Sequence, residues 1–319
     1  MSQPQDLATV EPVPHGRTAR RLDWLLLPPM TRRFIEGKLG SPVAKADSAG
    51  SGFTPGFASV LTGENGAQMF VKAASKVAQE AFADSYREEI RKLELLPEGL
   101  PVPRLLWSHE DDLWVILGLE YVDGPNPSRP WNRVQLDACL DSLEVFADAL
   151  TPPPFPLTLD TFAVEFTECP KDWDHVRKVV PQWPHLEEAA ALATRFAEVT
   201  TGNTLVHSDA RDDNFLMTRD GRALLCDWNW PVVGAAWIDT VLVLIAPYGD
   251  GVDADGVLAE RRLTKDVDPE SIDILLALIS GYFLKHRDDP VPNSSPYLRQ
   301  HQAWYAEATW SWLASRRGW

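Results

Sequence analysis

Basic residues are in short supply in this chain. Thirty lysines and arginines stand against 46 aspartates and glutamates, for a net charge of -16 at pH 7. A field of that sign repels nucleic acid and anionic membrane and draws cationic partners, so the expectation is no nucleic acid and no membrane among its partners. Cysteine is scarcer still. Cys139, Cys169 and Cys226 lie far apart, which suits neither a disulfide framework nor a zinc site, and they read as buried thiols in a reducing cytosol. Long apolar runs are missing too: Trp237 to Tyr248 and Ile272 to Leu284 are short and interrupted by Asp239, Asp273 and Ser280, so they read as core helices. Residues 1 to 20 contain no apolar h-region and are not a secretory signal. The resulting expectation is a cytoplasmic protein. No internal repeat is visible, and nothing points to a particular oligomeric state.

What is present is a chain of 319 residues, 45% hydrophobic, enough for one large domain or two lobes around a sizeable core. Its chemistry concentrates in Leu205-Val206-His207-Ser208-Asp209-Ala210-Arg211-Asp212-Asp213-Asn214-Phe215-Leu216-Met217 and, just after, Leu224-Leu225-Cys226-Asp227-Trp228. The apolar runs Phe215 to Met217 and Ala223 to Cys226 flank an Asp220-Gly221 pair, a strong hairpin signal. A hairpin there brings Asn214, at the start of one strand, close to Asp227, at the end of the other. Asp209 precedes Asn214 in the loop that feeds it. Phosphoryl transfer from a nucleotide needs magnesium on hard oxygen ligands, which suits Asn214 and Asp227. It also needs a carboxylate to orient the attacking hydroxyl, and Asp209 is placed for that. His207 reads as a structural residue that bonds the loop backbone.

The pattern His-x-Asp-x(4)-Asn followed by apolar-Asp-Trp resembles the aminoglycoside phosphotransferase family, small-molecule kinases distantly related to protein kinases. The family's usual form has glycine where this chain has Ser208. The resemblance implies an α+β, two-lobed, protein-kinase-like fold with a small antiparallel β-sheet N-lobe and a mostly helical C-lobe. The division it suggests is a mobile tail over residues 1–21, an N-lobe over 22–118, a hinge over 119–124 and a C-lobe over 125–319. ATP, or GTP, would lie in the cleft with Mg2+.

Ahead of the motif, Thr31 is placed to cap a helix that ends at Gly40. Three strands follow, within Val43 to Ala46, Ala49 to Leu61 and Gln68 to Ala73, split by a glycine-rich segment and an Asn65-Gly66 turn. Gly50 and Gly52 let backbone amides approach phosphate oxygens without a side chain in the way. Gly50, Gly52 and Gly56 do not form Gly-x-Gly-x-x-Gly, however, and Pro55 has no amide to donate. Lys72 ends an apolar strand segment. In the family it would steady the phosphates, held by a glutamate of the amphipathic helix predicted over residues 77–96. Glu89-x(3)-Leu93-x-x-Leu96 favours Glu89 for that partner, with adjacent Glu88 as the alternative. Leu100-Pro101-Val102-Pro103 resembles the family's Pro-x-Pro link, and two further strands run around Trp107 and from Trp114 to Gly118. The segment from Leu117 to Gly124 looks like the interlobe hinge, with backbone groups of Glu120 and Val122 offered to the base.

Val134 to Leu150 carries one apolar stripe and is stopped by Thr151-Pro152-Pro153-Pro154. Residues 155–184 lack periodicity. Leu186 to Thr200 reads as an Ala-rich helix, and Glu270 to Leu284 and Tyr297 to Arg316 as two more, the last with Trp304, Trp310 and Trp312 packed in the core. Gly234-x(4)-Asp239 resembles the family's Gly-x(4)-Asp and makes Asp239 an orienter of the catalytic loop. The absence of Ala-Pro-Glu and of a long segment after Asp227 argues against a protein kinase. The predicted activity is γ-phosphoryl transfer to a hydroxyl of a small molecule. An aminoglycoside or other cationic antibiotic suits the net charge, its amines meeting carboxylates of segments 155–184 or 250–256. The alternatives are a sugar, an amino alcohol or another metabolite as acceptor, or a catalytically silent nucleotide-binding protein.

Overall fold

The computed structural model describes residues 18–50, 52, 55–154 and 159–319. Residues 1–17 of the predicted tail, Ser51, Phe53 and Thr54 of the glycine-rich segment, and residues 155–158 lie outside the described residues. After helix α1 (Pro29–Leu39) the N-lobe sheet is built from β1 (Val43–Ser48), β2 (Phe57–Gly63), β3 (Gln68–Ser75), β4 (Leu105–Glu110) and β5 (Trp114–Glu120), with helix α2 (Glu80–Leu93) inserted between β3 and β4. The five strands are antiparallel in the order β1-β2-β3-β5-β4.

Because side chains alternate across a strand, β3 serves two cores at once. Met69, Val71 and Ala73 join Trp24, Ile35 and Leu39 on the α1 side. Ala74 joins Ala83 and Tyr86 of α2 on the other. Lys72 shares the parity of Ala74 and therefore points toward α2. That parity is what lets a strand lysine reach a helix glutamate.

The C-lobe comprises α3 (Arg133–Ala149), α4 (Phe162–Glu165), α5 (Asp172–Val179), α6 (Leu186–Ala193), α7 (Phe196–Val199), the short strands β6 (Thr204–Val206), β7 (Phe215–Met217), β8 (Ala223–Leu225) and β9 (Val232–Gly234), and helices α8 (Ile238–Gly249), α9 (Ala254–Glu260), α10 (Pro269–His286) and α11 (Leu298–Arg317). Strand β6 pairs with β9 and β7 with β8. Helix α10 is central, packed on α5, α6 and α11. Trp173, fully buried, donates its indole N–H to the Ala277 carbonyl at 3.1 Å. Trp310 and Trp312 are buried as expected. Among the described residues no helix is long and apolar enough to cross a membrane.

Four expectations shift. Helix α1 starts at Pro29 behind Pro28, and Thr31 is buried within its first turn; proline at N1 presets φ, and this outweighs the hydroxyl cap. Helix α2 is shorter than 77–96, its C-terminal turn closing on Glu94. The segment 186–200 is two helices rather than one. Thr18 to Arg21, assigned to the tail by composition, pack instead on the glycine-rich segment: Thr18 is buried, and Leu22 N donates to Gly56 O at 3.0 Å.

Candidate active site

The β7–β8 hairpin forms in the register Phe215↔Leu225, Leu216↔Leu224, Met217↔Ala223, with Gly221 at φ +84° in its turn. One further bond, Cys226 N to Asn214 O at 2.8 Å, extends the ladder and sets Asn214 beside the residue preceding Asp227. Both flanks are tied to the interlobe segments: Leu225 N donates to Pro101 O at 2.8 Å and Met217 N to Pro125 O at 2.8 Å. Gly124 comes so close that a β-carbon there would lie 1.6 Å from the Met217 carbonyl oxygen, so no other residue fits.

The loop before the hairpin is held by Asp239. Its Oδ2 accepts from His207 N at 2.7 Å and its Oδ1 from Ser208 N at 2.9 Å. Burial raises the Asp239 pKa against the pull of His207 and of those amides. His207 Nδ1 accepts from Asp209 N at 3.3 Å, so its Nε2 carries the hydrogen toward Cys226 O at 2.8 Å. With both nitrogens used on backbone, the imidazole is a brace. Ser208 has φ +65°, the left-handed region where glycine is at ease. Its Oγ donates to Trp230 O at 2.8 Å.

Asp209 is half-exposed, with Oδ2 3.2 Å from the Asn214 side-chain nitrogen and Oδ1 3.1 Å from Arg211 Nε. Arg211 is largely buried, its side chain 18% exposed. Burial opposes its charge, but Asp209 and Asp213 hold it protonated, and its Nη1 lies 3.1 Å from His301 Nε2. Asp213 is pushed up to about 7 by burial, against Arg211. Its Oδ1 is buried without a hydrogen bond.

On the N-lobe side Lys72 Nζ donates to Glu89 Oε1 at 2.7 Å and Oε2 at 2.8 Å, and bonds Asp227 Oδ1 as well. Burial disfavours the ammonium, yet Asp227 and then Glu89 more than offset it and hold Lys72 charged. Desolvation likewise opposes the Asp227 carboxylate, and Lys72, with Arg21 behind it, keeps it below the ordinary range. Glu88 pairs instead with Arg91 at 2.6 Å and Lys92 at 2.7 Å.

Two cavities meet here. One of about 360 Å³ is lined by Arg21, Gly50, Gly52, Lys72, Val122 and Asp213; one of about 450 Å³ is lined by Ser208, Asp209, Arg211, Asn214, Tyr282 and His301; Gly52, Asp227 and Asn229 line both. Of the hinge pair, Val122 lines the smaller cavity, whereas Glu120 does not, its side chain bonding Arg104 at 2.6 Å. Arg21 and Asn229 were not singled out from sequence. Asn229 follows Asp227 by two residues, a proximity that could have flagged it; its Nδ2 donates to Ser85 Oγ at 2.6 Å and its Oδ1 is buried without a partner. The acidic loop 250–256 is not at the site: Asp250 pairs with Arg129, Asp253 caps α9 and Asp255 pairs with Arg316.

Asn214 and Asp227 offer an amide and a carboxylate, the hard oxygens that magnesium prefers; Asn214 lines the larger cavity and Asp227 both, while Asp213, whose Oδ1 lies 3.3 Å from Arg211 Nε, lines the smaller one beside Asp227. Among the described residues no three His, Cys, Asp or Glu side chains form a metal cluster. An ion held here would complete its shell with phosphate and water oxygens, so the donor set fits a nucleotide-borne cation.

A two-lobed fold with a lysine-glutamate pair facing an Asp-Asn-Asp constellation defines the kinase-like small-molecule phosphotransferases. A sequence profile of the Phosphotransferase enzyme family (APH) matches residues 51–273, and the chain belongs to that family, enzymes with an alcohol group as acceptor. Among solved structures it is similar to an aminoglycoside phosphotransferase from Alicyclobacillus acidocaldarius at 16% identity, covering 92% of this chain and 96% of that one, with a TM-score of 0.61. It is similar to the choline kinase LicA from Streptococcus pneumoniae at 17% identity over 88% and 99% of the two chains, with a TM-score of 0.57. The amicoumacin kinase hAmiN, solved with AMP-PNP, Ca2+ and Ami, matches at 14% identity over 89% and 94%, with a TM-score of 0.56. No curated protein sequence matches the chain.

Proposed function

We propose that this enzyme transfers the γ-phosphoryl group of ATP, or of GTP, to a hydroxyl of a small molecule seated in the larger cavity. The observation that carries the reading is the junction of the cavities at Asp227, with Lys72 on one side and Asp209 on the other. The acceptor hydroxyl donates to Asp209. Its oxygen bonds the γ-phosphorus as the bond to the β–γ bridging oxygen breaks, and the proton passes to Asp209, leaving a nucleoside diphosphate and a phosphate monoester. Asn214 and Arg211 orient the Asp209 carboxylate. Lys72 steadies the phosphates and Glu89 holds Lys72. Asn214 and Asp227 would hold Mg2+, which when bound neutralises the charge of the triphosphate. Backbone groups of Val122 at the hinge face the base.

The acceptor cavity narrows the acceptor. Its wall includes Phe166, Leu242, Ile245, Ile279, Phe283 and Leu298; among the described residues Glu165 is the one carboxylate it adds to Asp209 and Asp227, and Arg211 and His301 also line it. A polycation needs several carboxylates to meet its amines. This wall favours an acceptor with an apolar body over an aminoglycoside, although the net charge alone suggests the reverse. The test is magnesium-dependent thermal stabilisation by ATP and GTP, followed by ADP release across aminoglycosides, peptide antibiotics, sugars, amino alcohols and aryl-substituted alcohols. Stabilisation with turnover on an apolar-bodied alcohol is expected. Stabilisation without ADP release on any acceptor would leave a silent nucleotide-binding protein.

A further inference from the structure

The cavity on the Lys72 side must accept a polyanion in a chain with a net charge of -16. Among the described residues its charged lining consists of Asp47, Asp213 and Asp227 against two cations, Lys72 and Arg21. Lys72 is already shared between Glu89 and Asp227. The glycine-rich segment is also a poor cradle, since it lacks the Gly-x-Gly-x-x-Gly spacing and carries Pro55, which donates no amide.

Arg21 stands where this deficit lies. The segment from Thr18 to Leu22 runs along the glycine-rich segment and is fastened to its carbonyls: Thr18 N to Gly50 O at 3.4 Å, Arg21 Nε to Ala49 O at 3.1 Å and Leu22 N to Gly56 O at 3.0 Å. Arg20 N donates to Ser294 O at 2.7 Å, so the same strap is anchored to the loop before α11 in the C-lobe. The guanidinium is thus held beneath the glycine-rich segment, its Nη2 3.2 Å from the place a Gly52 β-carbon would occupy. Its charge reaches both Asp227 and the Tyr86 hydroxyl beside Lys72.

We infer that Arg21, delivered by this N-terminal strap, binds the phosphate chain of the nucleotide and adds its positive charge to that of Lys72. The inference rests on the nucleotide-dependent function proposed above and adds a nucleotide-binding residue to it. A guanidinium presents paired donors that match phosphate oxygens, and the Nε bond to Ala49 fixes its direction beforehand.

The test is titration calorimetry of ATP and of adenosine, with Mg2+, into the full-length wild type, Arg21→Ala and Arg21→Gln. The glutamine variant keeps a donor for Ala49 O while removing the charge, so it separates phosphate binding from support of the strap. Loss of one charge-assisted contact predicts ATP affinity about tenfold weaker or more in both variants, with adenosine affinity changed by less than about twofold. ATP affinity of Arg21→Gln within about twofold of wild type overturns the inference, as does an equal loss for ATP and adenosine, which would make Arg21 a brace for the glycine-rich segment alone. Wild-type protein that binds neither ligand overturns the proposed function itself, and the inference with it.

Discussion

Both carboxylate oxygens of Glu89 accept from the single ammonium of Lys72, at 2.7 and 2.8 Å, and Glu89 is only 1% exposed. An ion pair taken out of water is a weak net stabiliser but an expensive thing to break, since the surviving charge stays buried. Glu89→Ala is therefore expected to destabilise the protein by about 3 kcal/mol, the low end of the range for a broken buried pair, because Asp227 still faces Lys72. It should also raise the KM for ATP. Glu88→Ala removes a half-exposed pair with Arg91 and one with buried Lys92, open to solvent on the Glu88 side, and should cost less than Glu89→Ala, about 1–2 kcal/mol. Urea unfolding of the two variants checks this, and equal losses would contradict the assignment of Glu89.

Asp209 touches both the larger cavity and the Asn214 amide but does not line the cavity that holds Lys72. Asp209→Asn is expected to reduce kcat by about a thousandfold, in line with loss of an acid-base group, while the Kd for ATP stays near that of wild type. Near-full turnover in this variant would remove Asp209 as the group that accepts the hydroxyl proton.

Ser208 carries a β-carbon at φ +65°. That conformation costs an L-residue about 1 kcal/mol or more relative to glycine, and the hydroxyl bond to Trp230 O returns part of it. Ser208→Gly should therefore be more stable than Ser208→Ala by about 1 kcal/mol, and close to wild type. An alanine variant as stable as the glycine one would show the position to be unstrained.

The hairpin was legible because its determinants are local: two apolar runs, an Asp-Gly turn and polar residues at the strand ends. The contact of Lys72 with Glu89 was expected through the family resemblance, from Glu89-x(3)-Leu93-x-x-Leu96, and strand parity together with helix facing is the physical reason the two side chains meet. Residues 155–184 were not, since helices as short as Phe162–Glu165 show no period. The wall of the larger cavity was hidden for a different reason: Leu242, Ile245, Ile279, Phe283 and Leu298 repeat like core residues, and only the packing of α8, α10 and α11 leaves a hollow between them. Arg21 depends on a chain path linking residue 21 to residue 49, which no local pattern encodes.

Asp239 spends both oxygens on successive amides, and the second of these directly precedes Asp209. It touches no reacting atom in this arrangement; it sets the position of the loop that carries the carboxylate. Asp239→Ala leaves the His207 and Ser208 N–H groups without their acceptor, at about 1–3 kcal/mol for each buried donor. Unfolding free energy should fall by about 3 kcal/mol accordingly. Displacement of Asp209 should lower kcat about 10- to 100-fold, the usual penalty for removing the support of a functional residue. Asp239→Asn retains one carbonyl oxygen and turns an NH2 toward the other amide, so it should fall between the two. The Kd for ATP is the discriminating measurement, because Asp239 bonds the catalytic loop and not the Lys72 side. A variant that loses stability and ATP affinity together, with kcat intact, would make Asp239 a general prop of the C-lobe rather than the residue that aims Asp209.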